Sequence, residues 1–481
     1  MVKHEKLDRN NVNNIMELTP MQESMLLQYI KDPESMKYFE QTCYTLHGEV
    51  NIDIFNGTWK VLSDANEMLR TIFRWEGLSK PLQIVLKNHK IPVYEYDLTN
   101  LVHEDKDQII EKIMIADRDR KIDIGLQPFR ITLCKVRLDH FYMIISHHHI
   151  ISDGWSNALL LKEFVEVYDA LYTGKTTVCE KKNNYSEFVK WHREQDKNKQ
   201  KMYWEKYLRD YRSTQNMFGS KYKRAKEELE SYYYYRIDDN LTKQIRSFTK
   251  QNEITLAELI YTSWSILINK YYNIEDLIFG TTVSGRIPDI VGVESMVGLF
   301  INTLLMRVCI SDDKCIVDLL SDVKKMVIER HDVEGTSIID AIAYGNLCHK
   351  DNIINSVVVV QNYPLDQVLL DNSKILSVKL NTRFYMTGMP LTLGVRDFED
   401  IILDFTYNTG LFSKEEISNM AIDFIEIIRQ IVDKSNTSLQ QIYVQDIKLH
   451  SFSQNNLFLS EININIKEIS ELEKVDFDEV F

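Results

Sequence analysis

Residues 146–155 read Ser146-His147-His148-His149-Ile150-Ile151-Ser152-Asp153-Gly154-Trp155. Residues 140–146, which lead into this stretch, are almost continuously apolar, as is typical of a short buried strand. Residues 155–172, which follow it, carry apolar side chains at helical spacing, and Gly174 is placed to end that helix. The sequence therefore predicts a strand that delivers adjacent histidines to a loop, and an Asp-Gly turn from which a helix begins.

The predicted loop combines an imidazole with a carboxylate and a glycine. His149 suits proton transfer because an imidazole titrates near neutral pH. Asp153 can fix the loop through a charge pair or hydrogen bonds, or can cap the helix. Gly154 can let the backbone approach a ligand or adopt a positive φ. Successive strand residues point to opposite faces, so we predict that His148 faces away from His149 and is structural.

Adjacent histidines could also indicate a metal site. Their alternation along a strand argues against this, and no cysteine or carboxylate cluster accompanies them in the sequence. The six cysteines lie far apart without a CxxC pair, so we predict no metal, no zinc site and no disulfide framework. Reduced thiols in the cytoplasm are the simplest interpretation.

Composition excludes several classes of function. The chain has 481 residues, with 57 Lys and Arg against 71 Asp and Glu, which gives a formal net charge of −14. An acidic chain is poorly suited to the phosphate backbone of nucleic acids or to anionic lipid. No apolar run reaches the ~18–20 residues of a membrane helix, and the first residues contain no apolar core of a secretory signal.

Helices and strands alternate along the chain, which predicts an α/β fold. The polar residues 176–184 form the best candidate boundary between two lobes. We expect a leader or docking segment at residues 1–14, an N-terminal lobe at 15–178, a C-terminal lobe at 179–450, and an acidic tail or linker at 451–481. Within the C-terminal lobe we predict a charged helical segment over 190–212, a helix over Leu256–Tyr272 and a strand over Asp276–Val283.

The pattern His148-His149-x-x-x-Asp153-Gly154 resembles the signature of the condensation domains of nonribosomal peptide synthetases, which belong to the chloramphenicol acetyltransferase-like superfamily. Further segments resemble the family's motifs in the expected order, and the resemblance spans residues 15–450. They are residues 18–26, 66–73, 185–191, 282–286, 297–304 and 361–364. Ser24 stands where the family usually has Gly, and Asn66 where it usually has His. We expect both departures to affect packing more than chemistry.

Details of the motifs favour a plain condensation domain over its subtypes. Epimerisation domains share the histidines but usually differ after the Asp-Gly pair and in the region of residues 298–303. Heterocyclisation domains replace the histidine motif with one rich in aspartate. The sequences Gly154-Trp155-Ser156 and Gly298 to Thr303 resemble neither subtype.

The resemblance implies two lobes in a V-shaped pseudo-dimer, each similar to chloramphenicol acetyltransferase. It also implies a tunnel with His149 at its middle. Donor and acceptor peptidyl carrier proteins would present thioesters on phosphopantetheine arms from opposite ends, so the chain itself would bind no cofactor. An adjacent adenylation domain or module is a further implied partner.

The resemblance also implies roles for individual residues. His149 would take a proton from the attacking amine, or would orient the amine and stabilise the tetrahedral intermediate; the sequence leaves both open. Asp153 would form a salt bridge to Arg286 across the lobes. Gly154 would give backbone room, and an N–H, near the developing oxyanion. His148 and Arg70 would support the structure.

Two other functions remain open. One is a related acyltransferase that uses a coenzyme A thioester or a free substrate. The other is a non-catalytic docking module, which the intact His149, Asp153 and Gly154 argue against. Residues 457–463 faintly resemble the linker that follows condensation domains, so the chain is either a stand-alone enzyme or an excised piece of a synthetase.

Overall fold

The computed structural model describes residues 7–101, 106–175, 182, 184–211, 230–286, 289–311, 313–347, 353–361, 375–434, 436–442 and 444. The predicted tail 451–481, most of the motif at 361–364, and Cys179 and Cys348 lie outside the described residues.

The first half of the chain forms one lobe around a central sheet. Its elements are β1 (Val12–Glu17), α1 (Pro20–Lys31), β2 (Phe39–His47), α2 (Ile52–Ala65), β3 (Thr71–Arg74), β4 (Leu82–Leu86), β5 (Val93–Asp97), α3 (Lys106–Asp119), β6 (Phe129–Arg137), β7 (His140–His148) and α4 (Gly154–Tyr172).

The second half forms another lobe. Its elements are α5 (Ser186–Glu194), α6 (Lys197–Tyr207), β8 (Glu230–Arg236), α7 (Asp239–Gln251), α8 (Leu256–Tyr272), β9 (Asp276–Val283), β10 (Asn302–Cys309), α9 (Ile316–Arg330), α10 (Ile338–Tyr344), β11 (Val357–Gln361), β12 (Ser377–Tyr385), β13 (Leu391–Asp397), β14 (Ile401–Asn408) and α11 (Lys414–Asp433).

Each lobe has a mixed sheet covered by helices. The sheet of the first lobe has the order β12-β2-β7-β6-β5, and the short strands β1, β4 and β3 form a separate sheet. Helices α2 and α4 join the core of this lobe through Trp59 and Phe164, whose ring centroids lie 5.3 Å apart. The sheet of the second lobe has the order β10-β9-β11-β13-β14-β8. Its core includes α8 and α11, where Trp264 and Phe424 meet edge to face.

Two segments of the second half pack on the first lobe. Strand β12 pairs with β2 in an antiparallel register that places Tyr385 opposite Glu40. Residues 290–300 contribute Val297, Leu299 and Phe300 to the apolar core of the first lobe. Strand β12 is also tied to the second lobe, because the Tyr232 hydroxyl donates to the carbonyl of Tyr385. The two lobes therefore share elements where they meet.

Most of the predicted elements are present, with one difference. The strand before the histidines, the helix after Asp153, the helix Leu256–Tyr272 and the strand Asp276–Val283 have the predicted positions. The helical segment predicted over 190–212 is instead two helices, α5 and α6. Gln195 is extended, and the Asp196 side chain accepts hydrogen bonds from the N–H groups of Asn198 and Lys199. An N-cap begins a new helix there, so a single continuous helix is not formed.

Candidate active site

The loop after β7 brings the predicted residues to the junction of the lobes. The backbone N–H of His149 donates to the carbonyl of Tyr38 at 2.7 Å, which anchors the end of the strand. Asp153 is the N-cap of α4 and accepts from the N–H of Ser156 at 2.8 Å. Gly154 is the first residue of α4 and is not among the glycines with positive φ in the described chain. The positive φ considered for Gly154 is therefore wrong, and room for a ligand remains the prediction.

The imidazole of His149 has one nitrogen held by the loop and one nitrogen directed away from it. Nδ1 lies 2.5 Å from the carbonyl oxygen of Ser152. A carbonyl oxygen can only accept a hydrogen bond, so Nδ1 carries a proton and Nε2 is the basic nitrogen of the neutral ring. The side chain is 20% exposed. His149 is thus oriented and still open to a reactant.

His148 lies on the opposite face of the strand, as predicted. Its side chain is buried, Nδ1 accepts from the N–H of Ile150 at 3.1 Å, and the ring meets Tyr29 edge to face. Burial lowers the pKa of His148 to about 3, and the neighbouring His149 and His147 contribute to this shift. A neutral, buried ring is consistent with a structural role.

The ion pair predicted between Asp153 and Arg286 is present. Arg286 Nη2 lies 3.3 Å from Asp153 Oδ1, and the two side chains are 5% and 1% exposed. The other carboxylate oxygen, Oδ2, accepts from the N–H of Phe300 at 3.0 Å. Burial lowers the pKa of Arg286, which the charge of Asp153 opposes. Both oxygens of Asp153 are engaged away from His149, so Asp153 holds the loop in place.

Three predicted motifs converge on this ion pair. The hydroxyl of Ser156 donates to the carbonyl of Gly298 at 2.7 Å and accepts from the Gly298 N–H at 3.0 Å. A Cβ on Gly298 would lie 2.4 Å from the ring of Tyr185. The motifs around residues 185, 282–286 and 297–304 therefore meet at the loop. Gly298 is needed at this contact because a side chain would clash with the ring of Tyr185.

Arg70 lies apart from these residues. Its guanidinium donates to the carbonyl of Ser63 at 2.7 Å and also to that of Leu86. These bonds fasten the end of α2 to β4. Arg70 therefore bonds to residues of the first lobe, and its structural role remains a prediction.

Glu40 on β2 is the residue of the site that the sequence analysis missed. Glu40 Oε1 lies 3.4 Å from His149 Nε2, and Oε2 lies 3.3 Å from His147 Nε2. Oε2 also accepts from Asn157 Nδ2 at 3.0 Å. Burial would raise the pKa of Glu40, but His149 and His147 in their protonated forms, the charge of Arg383 and the hydrogen bond from Asn157 together lower it. Glu40 is thus an ionised carboxylate beside Nε2 of His149.

The sequence contained one signal of Glu40. It is the only acidic residue of β2, a strand that otherwise consists of uncharged residues and a terminal histidine. Its position beside His147 depends on the pairing of β2 with β7. Residue spacing does not specify which strands pair, so this contact could not be predicted.

Within the ranges that the structure describes, no group of three or more His, Cys, Asp or Glu side chains could hold a metal ion. None of the helices in those ranges is both long enough and apolar enough to cross a membrane.

Sequence comparison identifies the family of this chain and a similar protein. The model of the family described as Condensation domain matches residues 12–448. Tyrocidine synthase 2 of Brevibacillus parabrevis is 30% identical over 439 residues, which are 90% of this chain and 12% of that protein. The chain therefore spans only a small part of this curated relative.

Solved structures show the same fold. An X-domain from teicoplanin biosynthesis, in a complex with OxyB, superposes with a TM-score of 0.75 at 15% identity, covering 92% of this chain and 98% of that one. A point mutant of the starter condensation domain of rhizomide synthetase RzmA, in complex with C8-CoA, has a TM-score of 0.74 at 15% identity, covering 90% of this chain and 98% of that one. These likenesses place the chain in a two-lobed α/β fold.

Proposed function

This chain belongs to the condensation domain family, and on that premise we propose that it forms an amide bond in nonribosomal peptide synthesis. The donor is an aminoacyl or peptidyl thioester on one peptidyl carrier protein, and the acceptor is an amine on a second. The amine attacks the thioester carbonyl, the C–N bond forms, the C–S bond breaks, and the thiol leaves with a proton. Holding both reactants in one tunnel removes much of the entropic cost of their encounter.

The observation that carries this proposal is the geometry of His149. Its Nδ1 is fixed by the Ser152 carbonyl, and its side chain is partly exposed at the junction of the lobes. A ring held in this way can accept the proton that the amine loses, or can orient the amine. The Asp153–Arg286 pair then acts indirectly, by holding the loop. Gly154 leaves backbone room beside the developing oxyanion.

The remaining components belong to partners. Phosphopantetheine arms of donor and acceptor carrier proteins deliver the substrates, and an adjacent adenylation domain or module loads them. The chain binds no cofactor of its own and no metal. We place the reaction in the cytoplasm, where thiols such as those of Cys43 and Cys134, which are free and buried here, stay reduced.

Two alternatives each have one observation in their favour. The complex of a similarly folded starter domain with C8-CoA favours an acyltransferase that uses a coenzyme A thioester. The complex of a similarly folded X-domain with OxyB favours a non-catalytic docking module. Both likenesses concern the fold alone, whereas the intact His149 loop favours amide formation.

The test is a condensation assay with purified, loaded carrier proteins, run with and without chelator. We expect amide formation that depends on both carriers and is unchanged by the chelator. Equal turnover with coenzyme A thioesters and free amines would support the acyltransferase instead. Carrier binding without chemistry by protein with intact His149 would support the docking module, and loss of turnover with chelator would indicate a metal.

A further inference from the structure

The nitrogen of His149 that faces the reactants is opposed by a second acceptor. Nδ1 donates to the Ser152 carbonyl, so the neutral ring presents a lone pair at Nε2. Glu40 Oε1, which can also only accept when the carboxylate is ionised, lies 3.4 Å from that nitrogen. Two acceptors at this separation repel unless a proton lies between them, carried either by Nε2 of a protonated ring or by a bound group.

The surroundings hold Glu40 as an anion in this place. Its other oxygen, Oε2, accepts from Asn157 and lies beside His147, which leaves Oε1 directed at His149. Burial lowers the pKa of His147, although the charge of Glu40 opposes the shift, so this neighbour is neutral at pH 7. The charge of Arg383, on β12, further favours the ionised carboxylate. The Glu40 side chain is 15% exposed, so a ligand can reach it.

On the premise of the proposed function, we infer that Glu40 and His149 together bind the acceptor amine as a primary alkylammonium ion. A free α-amino group has a pKa of about 7.7–8.0, so it arrives mostly protonated at pH 7. An ammonium carries three N–H donors, and two of them match Nε2 and Oε1. Charge-assisted bonds of about 2.7–2.9 Å to both atoms are compatible with their separation.

This site gives the two residues different tasks. His149 Nε2 takes one proton from the bound ammonium, and the nitrogen, now with a lone pair, attacks the thioester carbonyl. Glu40 keeps its hydrogen bond to the nitrogen and stabilises the positive charge that the nitrogen carries in the tetrahedral intermediate. His149 passes this first proton to the sulfur as the C–S bond breaks, so the sulfur leaves as a thiol. The nitrogen loses its second proton to solvent, which leaves a neutral amide and a neutral His149. Glu40 gains and loses nothing.

The experiment compares two soluble probes of the acceptor. One is glycyl-aminopantetheine, in which an amide replaces the thioester; the other is glycolyl-aminopantetheine, in which a hydroxyl replaces the ammonium. Calorimetry at pH 7 should show that the wild-type protein binds the glycyl probe about tenfold or more tightly than the glycolyl probe. Glu40→Gln should abolish this preference by weakening only the glycyl probe, and Glu40→Asp should retain part of it.

The matched control is Glu49→Gln, which makes the same change at an exposed residue just beyond the other end of β2. It should leave both affinities unchanged. A measurement on the wild-type protein makes the test independent of whether Glu40→Gln folds. The preference for the glycyl probe should fall as the pH rises above about 8, because the free α-amine loses its proton there.

The outcomes separate this inference from the proposed function. Equal binding of the two probes to wild-type protein, or a preference that survives Glu40→Gln, overturns the ammonium site and leaves the condensation function standing. Failure of both probes to bind overturns the pantetheine tunnel of the proposed function, and the ammonium site with it.

Discussion

The side chains of the His149 loop point in three different directions. His149 faces the junction of the lobes, His148 faces the core, and Asp153 faces Arg286. Asp153 is therefore not a partner of the imidazole. The backbone carbonyl of Ser152 orients the ring instead.

Replacing His149 tests its chemical role. We expect His149→Ala to lower the rate of amide formation about 10²–10⁴-fold, which is the usual contribution of a positioned acid–base group. The fold should survive because the side chain is partly exposed. Turnover is measured with loaded carriers and folding by circular dichroism. His331→Ala, at a side chain that is 68% exposed, is the control, and turnover of His149→Ala equal to it would exclude a catalytic role.

Arg286 tests the ion pair. Arg286→Ala should lower the free energy of unfolding by about 3–5 kcal/mol, because the buried carboxylate of Asp153 loses its charged partner. Urea denaturation measures the change. The comparison is Lys60→Ala, which breaks an exposed pair with Asp64 and should cost less than about 1 kcal/mol. Equal losses in the two variants would contradict the importance assigned to the buried pair.

For individual residues, the sequence predicted the features that depend on neighbouring residues or on a family motif. The facing of His148 and His149 follows from strand alternation, and the cap at Asp153 follows from its place before the helix. The pairing with Arg286 came from the family resemblance. Glu40 escaped prediction because its contact with His149 depends on which strand lies beside β7.

Among the elements, β9 ends in a turn that has no room for a side chain at Gly285. Gly285 has φ +62°, and a Cβ there would lie 1.8 Å from the carbonyl oxygen of Phe300. The turn after β9 passes close to Phe300, whose N–H donates to Asp153. Only a residue without a side chain fits at position 285. The adjacent Arg286 is placed for its ion pair by this turn.

Gly285→Ala should consequently destabilise the protein by about 2–4 kcal/mol, since backbone strain and a steric clash combine. The control is Gly174→Ala, where φ is +71° but a Cβ would meet nothing within 4 Å. That variant has the strain alone and should lose about 1 kcal/mol. Thermal and urea unfolding measure the stability of both variants. Similar losses of stability would show that the structure relaxes around the Gly285 clash at little cost.

Periodicity predicted most of the elements because each one has a clear apolar pattern. Helix α8 matches its predicted bounds, with Thr255 as N-cap and Glu258 completing a capping box. The break between α5 and α6 was missed because charged residues continue across it. The extended Gln195 and the capping bonds of Asp196 mark that boundary.

At the scale of the molecule, a buried acid of the second lobe lies against β12, the strand that completes the first sheet. Asp404 on β14 is 8% exposed; its Oδ2 accepts from the Tyr385 hydroxyl at 2.9 Å. Burial raises the pKa of Asp404, against the hydrogen bond from Tyr385 and the charges of Arg396 and Arg383. A carboxyl whose pKa is raised by folding stabilises the fold while it is protonated, and this contribution is lost as the pH rises through the raised value.

Asp404→Asn should remove this loss of stability with rising pH, because asparagine does not ionise. The free energy of unfolding of the variant, relative to wild type, should increase as the pH rises from about 4 and should level off above the raised pKa. Asp400→Asn gives the opposite sign, because the hydrogen bond from Arg236 lowers the pKa of Asp400 and stabilises the fold at neutral pH. Urea titrations at several pH values measure both, and parallel pH profiles for wild type and Asp404→Asn would contradict the assignment.

The sequence could not predict that the two lobes share elements. The resemblance implied two lobes, and the sequence indicated alternating helices and strands. Strand β12 lies within the range predicted for the C-terminal lobe yet completes the sheet of the first lobe. Its alternation of polar and apolar residues is compatible with either sheet, so only the three-dimensional pairing identifies its place.

Strand β12 also has a consequence for how the protein is made. A ribosome synthesises β2 long before β12, so the first sheet emerges with the edge of β2 unpaired. An uncovered strand edge is a template for pairing with other chains. The nascent chain must keep this edge protected until translation has passed Tyr385, and premature termination before that residue would release a product prone to aggregation.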